Sequence, residues 1–298
     1  MGEGRGLAVV TGASSGIGAV YAERLAARGH SLLLVARRPE RLASTKDRLS
    51  SNYKVEVATL VADLERPSDV SDLEARVAAD DVTFLVNSAG AGGLGRSEDI
   101  TADQLERIIQ LNITALTRLS HAALAGFRKQ GAGVLVNIGS MMAHETAPSA
   151  AAYSGSKVYV LNFTRSLQIE YAGSPIRIQL VMPGPIRTEF FSSQGVSESI
   201  FPPESYLAPE QLVDAALAGL DTGEPVTIPS MLDEQAWIAL EAARTEFVKA
   251  TMSGKVAARY RSWKARPEQV IAPSHPPSPG SRDADRLFPR IRMKGEDR

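Results

Sequence analysis

Short runs of apolar residues alternate along this chain with longer amphipathic windows. Seven runs have the length and composition of buried strands: Leu7–Val10, Ser31–Ala36, Val55–Ala62, Val82–Asn87, Val134–Ile138, Ile176–Met182 and Val226–Ile228. A segment of helix length separates each run from the next. Strands that are buried on both faces have this continuous apolar character, and parallel strands need a helical crossover. The pattern therefore predicts an α/β fold, a doubly wound parallel sheet with helices on both faces.

Polar or turn-forming residues stand at the ends of six of these predicted strands or within a few residues after them. They are Ser14, Arg37, Asp63, Asn87, Ser140 and Pro183. In open parallel sheets the ligand binds beyond the carboxyl ends of the strands. We therefore expect these residues to share one site.

The alternation of strands and helices stops near residue 232, which predicts a single domain over residues 1–232. Within it, residues 189–207 form an insertion that is rich in aromatic residues and proline. A C-terminal helical extension is predicted over residues 233–264, and its apolar stripe is expected to pack, against this chain or against a second subunit. The proline-rich, charged tail, residues 265–298, has little to bury and is predicted to be extended or disordered.

Composition excludes several classes of protein. The 298 residues carry a formal net charge of −1 and contain no cysteine, so neither nucleic-acid binding nor thiol chemistry is favoured. The four histidines are scattered, and no metal site is expected. No apolar run is long enough to span a bilayer, and the N-terminus lacks the apolar segment of a signal peptide. Cytoplasmic localisation without membrane partners is the expectation.

A glycine-rich turn follows the first strand, in the stretch Thr11–Gly18. Glycines 12, 16 and 18 permit a tight turn and a close backbone approach, and a helical pattern begins at once. A helix N-terminus offers free amides to a diphosphate. The turn therefore indicates dinucleotide binding. Gly90, Gly92 and Gly95 have the commoner spacing of a dinucleotide-binding turn, but no helix begins there, which indicates a loop near the substrate.

Tyr153 and Lys157 lie four residues apart in a predicted helix, and Ser140 stands thirteen residues before Tyr153. This spacing places the tyrosine and the lysine on one helical face, where an ammonium would lower the phenol pKa. A hydroxyl from Ser140 could meet the same substrate oxygen, which is an arrangement suited to carbonyl reduction or alcohol oxidation. Tyr260 and Lys264 repeat the spacing, but Phe247 stands thirteen residues before Tyr260, so this pair is not expected to be catalytic.

Taken together, these motifs resemble the short-chain dehydrogenase/reductase family over roughly the first 230 residues. The family's Asn-Asn-Ala-Gly stretch corresponds to Asn87-Ser88-Ala89-Gly90, with a serine at the second position. The resemblance implies a Rossmann-like domain in which residues 189–207 cover the substrate. It also implies that the protein forms a homodimer or homotetramer. The catalytic residues that it implies are Asn112, Ser140, Tyr153 and Lys157. The cofactor-binding residues that it implies are Gly12, Ser14, Ser15, Gly16, Ile17, Gly18, Arg37, Arg38, Asp63, Leu64, Asn87, Ala89, Gly90, Tyr153, Lys157, Pro183, Gly184, Ile186 and Thr188.

The choice of cofactor depends on the end of the second strand. Residues 36–38 are Ala-Arg-Arg and contain no acid that would bind the ribose hydroxyls of NAD. A guanidinium can bind a 2′-phosphate through paired charge-assisted hydrogen bonds, so NADP is favoured.

The predicted function is NADP(H)-dependent reduction of a ketone or aldehyde, or the reverse oxidation of an alcohol. Tyr153 would protonate the carbonyl oxygen, and the resemblance gives Asn112 the task of holding a water that links Lys157 to solvent. The substrate is a small molecule, and the aromatic residues of the insertion favour an apolar one. Two alternatives stay open: a catalytically silent NADP-binding regulator, and an epimerase or dehydratase on the same scaffold.

Overall fold

The computed structural model of the protein describes residues 5–96 and 98–265. Its described part contains a seven-stranded sheet with the order β3-β2-β1-β4-β5-β6-β7, in which every neighbouring pair is parallel. The strands are β1 (Leu7–Thr11), β2 (Ser31–Ala36), β3 (Val57–Val61), β4 (Val82–Asn87), β5 (Gly133–Ile138), β6 (Ile176–Val181) and β7 (Val226–Thr227). Each corresponds to one of the predicted apolar runs, so the prediction of a doubly wound parallel sheet is confirmed.

Helices connect the strands and cover both faces of the sheet. They are α1 (Gly16–Ala27), α2 (Pro39–Tyr53), α3 (Pro67–Val77), α4 (Ala102–Ile109), α5 (Leu116–Gln130), α6 (Ala151–Glu170) and α7 (Pro209–Thr222). A π-helical segment, Gln110–Ala115, joins α4 to α5. Thr101 caps α4 in a capping box with Gln104, which fixes the start of this helix.

Two buried clusters lie on opposite faces of the sheet. Alternate residues of β1 separate them, since Ala8 and Val10 belong to one cluster and Val9 belongs to the other. Helices α1, α2 and α7 contribute to the first cluster, and α3, α5 and α6 contribute to the second. This two-sided burial is the reason why the strands have continuous apolar sequences.

The strand order reverses beside β1, because the chain first builds β2 and β3 on one side and then crosses to β4 on the other. Such a switch point leaves a crevice between the loops that follow the two central strands. The fold thereby opens a ligand cleft between the end of β1 and the end of β4.

The described residues divide into two compact units, with the division between Ser230 and Met231. In the second unit α8 (Gln235–Thr251) is followed by a 3₁₀ segment, Ala258–Ala265. The helix is shorter than the predicted stretch toward Lys264, and Gly254 takes a left-handed φ of 63° beyond its end. None of the residues of α8 is buried, and the packing of its apolar stripe, against this chain or against a second subunit, stays a prediction. The predicted tail, apart from residue 265, lies outside the described residues.

Among the described residues, none of the helices combines the length and the apolar character that crossing a bilayer would require.

Candidate active site

A cleft of 420 Å³ opens at the carboxyl edge of the sheet, at the switch point. That volume is typical of a small-molecule or cofactor site. Nearly all of the predicted site residues line it: Gly12, Ser14, Ser15, Gly16, Ile17, Gly18, Arg37, Arg38, Asp63, Leu64, Ala89, Gly90, Ser140, Tyr153, Lys157, Pro183, Gly184, Ile186 and Thr188. Two predicted residues, Asn87 and Asn112, do not line it.

The glycine-rich turn forms one wall of the cleft. Gly12 and Gly16 have left-handed φ angles of 68° and 54°, which favour glycine. A Cβ on Gly18 would lie 2.5 Å from the carbonyl oxygen of Gly12, so no side chain fits there. The first amides of α1 have no acceptor within the helix, and no side chain caps them. The turn can therefore receive an anionic group.

Thr11 ties this turn to the loop after β4. Its Oγ1 accepts hydrogen bonds from the backbone amides of Ser88 at 3.0 Å and Ala89 at 3.1 Å, and it donates to the Val86 carbonyl. Thr11 is itself buried. The two loops that border the cleft are thus fixed relative to each other.

The two arginines at the end of β2 have different partners. Arg38 donates to the hydroxyl of Ser14 at 3.1 Å and to that of Ser15 at 2.8 Å, directly on the glycine-rich turn. Arg37 is largely exposed and pairs with Glu65 at 3.0 Å and with Asp63 at 3.8 Å. Both guanidinium groups border the cleft. Arg38 also contacts the glycine-rich turn, a contact that the sequence alone does not indicate.

Tyr153 and Lys157 both belong to the first two turns of α6, and their side chains meet in the cleft. The Lys157 Nζ lies 5.7 Å from the centre of the Tyr153 ring and donates to the Ile138 carbonyl at 3.0 Å. Burial lowers the pKa of Lys157 to about 8. The Ser140 hydroxyl accepts a hydrogen bond from the Met142 amide and is hydrogen-bonded to Tyr153.

The pKa of Tyr153 is raised, whereas the sequence predicts that Lys157 lowers it. Burial raises this pKa, and the opposing effect comes from the hydrogen bond with Ser140. Desolvation of the phenol is the larger effect, and the Lys157 Nζ is bonded to a backbone carbonyl and not to the phenol.

Asn112 lies in the π-helical segment and is buried. Its Oδ1 accepts from the Ala91 amide at 2.9 Å, and its Nδ2 donates to the Ala91 carbonyl at 2.8 Å and to Ser156 Oγ at 3.0 Å. Both amide hydrogens are therefore used. The side chain fixes the loop after β4 against α6, and the water that the resemblance places beside it stays a prediction.

Asn87 likewise does not line the cleft, and its side chain stabilises the structure beneath it. Its Nδ2 donates to Ser120 Oγ and to Asn137 Oδ1, both at 3.0 Å. Asn137 in turn donates to Thr164 at 3.0 Å. This buried chain of hydrogen bonds ties β4 and β5 to α5 and α6 beneath the cleft.

The other half of the cleft is apolar. Its lining includes Leu94, Met141, Met142, Ala147, Pro148, Phe190, Phe191, Ile200 and Phe201. The Phe190 ring lies 5.6 Å from the Tyr153 ring, and Phe191 makes edge contacts with Phe190, Phe201 and Tyr206. The aromatic residues of the 189–207 insertion therefore pack on one another and also face the cleft.

Several lining residues are absent from the sequence-based prediction. Glu189 lines the cleft and pairs with Arg38 and Arg41, and Met141 and Met142 follow Ser140 directly. Arg41 lies in the first turn of α2, three residues after Arg38 at the N-cap, and this nearness is available from the sequence. The distant partner Glu189 is not.

Comparisons with known proteins agree with this geometry. A family model described as short chain dehydrogenase matches residues 6–198. A solved short-chain dehydrogenase from Sphingobium yanoikuyae, in complex with NADPH, is 40% identical with a TM-score of 0.82, over 86% of this chain and 100% of that one. A bulky-bulky ketone specific alcohol dehydrogenase from Comamonas testosteroni is 35% identical with a TM-score of 0.79, over 87% and 100%.

Among curated proteins, the chain is 35% identical over 179 residues to the human inactive hydroxysteroid dehydrogenase-like protein 1, covering 59% of this chain and 54% of that protein. The chain thus spans about half the length of this relative. The family match covers well over half of the present chain, in a region that includes the glycine-rich turn, Ser140, Tyr153 and Lys157. This protein belongs to the short-chain dehydrogenase family.

Proposed function

We propose that this protein is an NADP(H)-dependent oxidoreductase that reduces a bulky, apolar ketone or aldehyde, or oxidises the corresponding alcohol. The observation that carries the proposal is the group formed by Ser140, Tyr153 and Lys157, which faces the apolar half of the cleft. It supplies a proton donor, a hydrogen-bonding hydroxyl and a cation at one place.

The residues of the cleft fit a dinucleotide. The glycine-rich turn leaves space where a Cβ would meet backbone, and the first amides of α1 suit a diphosphate. Arg37 and Arg38 would bind a 2′-phosphate, and Asp63 and Leu64 would border the adenine. The similar dehydrogenase from Sphingobium yanoikuyae is in complex with NADPH, which supports this choice. When bound there, NADPH supplies the hydride.

The side chains of this protein would then carry out the proton transfer. The Tyr153 hydroxyl donates its proton to the carbonyl oxygen, and the Ser140 hydroxyl donates a hydrogen bond that stabilises the developing negative charge. Lys157 places a positive charge beside the phenolate that Tyr153 becomes. Because burial raises the pKa of Tyr153, the phenol is fully protonated at neutral pH, which suits a proton donor.

The apolar lining supports the substrate class. Among the described residues of the cleft, the charged side chains besides Lys157 are Arg37, Arg38, Asp63 and Glu189. These four pair with one another or with neighbours at the end near the glycine-rich turn. Within the described lining, Tyr153 therefore has no charged side chain beside it, apart from Lys157, that could bind a keto acid or a sugar phosphate. The name of the Comamonas testosteroni enzyme agrees with a bulky ketone.

A catalytically silent NADP-binding regulator is the second candidate, because the human relative is named inactive. The two functions differ in turnover and agree in cofactor binding. The presence of Ser140, Tyr153 and Lys157 in one cleft favours the enzyme.

A ketone panel with NADPH and NADH tests the proposal. We expect steady NADPH oxidation with aryl ketones and other bulky ketones, and little with small keto acids. Tyr153→Phe should reduce turnover by about 100-fold or more while NADPH binding is kept, because the proton donor is lost. Tyr260→Phe, a change at an exposed tyrosine of the second unit, is the control and should leave turnover unchanged. NADPH binding without turnover of any ketone or alcohol would support the regulator instead.

A further inference from the structure

Glu189 begins the 189–207 insertion and bonds to two arginines of the cofactor end. Its Oε2 accepts from Arg38 Nη1 at 3.0 Å, and both of its oxygens lie 2.8 Å from Arg41 Nη1. Hydrogen bonds from Arg41 and Arg38 lower the pKa of Glu189, so it is ionised at neutral pH. A carboxylate of the substrate loop is therefore held on the surface that faces the glycine-rich turn.

Four of the five N–H donors of Arg38 are used in this arrangement. Nε and Nη2 donate to the hydroxyls of Ser14 and Ser15, and Nη1 donates to Glu189. A guanidinium has only five N–H donors in a fixed fork. A 2′-phosphate that binds Arg38 would need part of the same fork, and it would bring about two negative charges close to the Glu189 carboxylate.

The position of Glu189 also bears on the substrate. Phe190, the next residue, has its ring 5.6 Å from that of Tyr153. At its other side the loop is fixed through Gln194, which accepts from the Leu94 amide at 3.3 Å and donates to the Phe190 carbonyl at 2.6 Å. A shift of Glu189 would therefore move Phe190, which lies between the two fixed points, relative to Tyr153.

We infer that Glu189 is a specificity-determining residue that competes with the cofactor 2′-phosphate for Arg38 and thereby couples that phosphate to the position of the 189–207 loop. The inference rests on the proposed function, since it takes NADP(H) as the cofactor. Coupling between two binding events is reciprocal. The loop contact weakens 2′-phosphate binding, and the 2′-phosphate releases the loop contact, by the same factor.

Direct binding titrations test the competition. We expect Glu189→Gln to bind NADPH about 3- to 10-fold more tightly than wild type, the range given by one or two exposed ion pairs. NADH, which has no 2′-phosphate, should bind equally to both proteins. Glu204→Gln changes an exposed carboxylate of the same loop and is the matched control, with no expected effect on either cofactor.

Hydrogen–deuterium exchange of residues 190–201 tests the coupling without any turnover. Adding 2′,5′-ADP to wild type should speed exchange in this loop, whereas 5′-AMP should not, and the difference should vanish in Glu189→Gln. These two probes share the adenosine and differ at the 2′-phosphate. Neither contains the nicotinamide, which could contact the loop by itself.

The outcomes separate this inference from the proposed function. Equal changes in NADH and NADPH affinity, or weaker NADPH binding by Glu189→Gln, would overturn the inference, because Glu189 would then support the fold alone. An unchanged NADPH affinity would overturn it as well. In these three cases a wild-type protein that binds and oxidises NADPH keeps the proposed function. Wild-type protein that binds neither cofactor would remove both.

Discussion

The buried ammonium of Lys157 should make the stability of this protein depend on pH in an unusual direction. Burial lowers the pKa of Lys157 from 10.5 to about 8, whereas the unfolded chain exposes the same group to water. Below pH 8 both states carry the proton, and the full cost of burying the charge is present. Between about pH 8 and 10.5 the unfolded state binds more protons, so this contribution raises the free energy of unfolding as pH rises.

The size of the effect follows from the pKa difference. A shift of about 2.5 units at ~1.36 kcal/mol per unit corresponds to about 3 kcal/mol over the whole window. Other titrating groups add to the pH dependence of the wild type. They cancel in the difference between wild type and Lys157→Met, which keeps most of the length of the side chain and removes the titration.

Urea denaturation at several pH values, without added cofactor, measures this difference. The free energy of unfolding of wild type minus that of Lys157→Met should increase by about 3 kcal/mol between about pH 7.5 and 10.5. Lys129→Met, at the exposed end of α5, is the matched control and should give a flat difference. A flat or falling difference for Lys157→Met would refute the reasoning, since it would show that Lys157 is not a desolvated cation.

Three further changes test the walls of the cleft. Arg37→Ala should weaken NADPH binding about 10-fold and leave NADH unchanged, as measured by titration, because one charge-assisted hydrogen bond is worth roughly 1.5–3 kcal/mol and Arg38 shares the phosphate. Ala36→Asp should reduce the preference for NADPH further, since it adds a carboxylate next to the phosphate site; equal losses with both cofactors would contradict the assignment. Asn112→Ala removes three hydrogen bonds of a buried side chain and should lower the free energy of unfolding by roughly 2–4 kcal/mol in urea. A loss below about 1 kcal/mol would show that the Asn112 contacts do not stabilise the loop after β4.

Much of the fold could be predicted because its determinants are local. Each buried strand is a continuous apolar run, and the glycine-rich turn needs left-handed φ angles at Gly12 and Gly16 that few other residues adopt. Helical spacing alone brings Tyr153 and Lys157 to one face. For these features the neighbouring residues carry enough information.

The remaining features depend on pairs that are far apart in the sequence. The Arg38–Glu189 contact joins residues separated by 151 positions, and no local pattern indicates it. The nearness of Lys157 in the sequence predicts a lowered pKa for Tyr153. This pKa is raised instead, because burial of the phenol has the largest effect on it. Burial is a property of the assembled fold.

The π-helical segment makes the site sensitive to residue count as well as to residue identity. Hydrogen bonds from residue i to i+5 hold one more residue per closed ring than the bonds of an α-helix, so Gln110–Ala115 acts as a one-residue insertion within the continuous run from α4 to α5. Each residue of an α-helix turns the next by about 100°. Deleting one residue here would leave a regular helix of good geometry while rotating Asn112 away from Ala91 and Ser156. Sequence alignments of relatives therefore need to place gaps in this helix by the contacts of Asn112, and not by helical continuity.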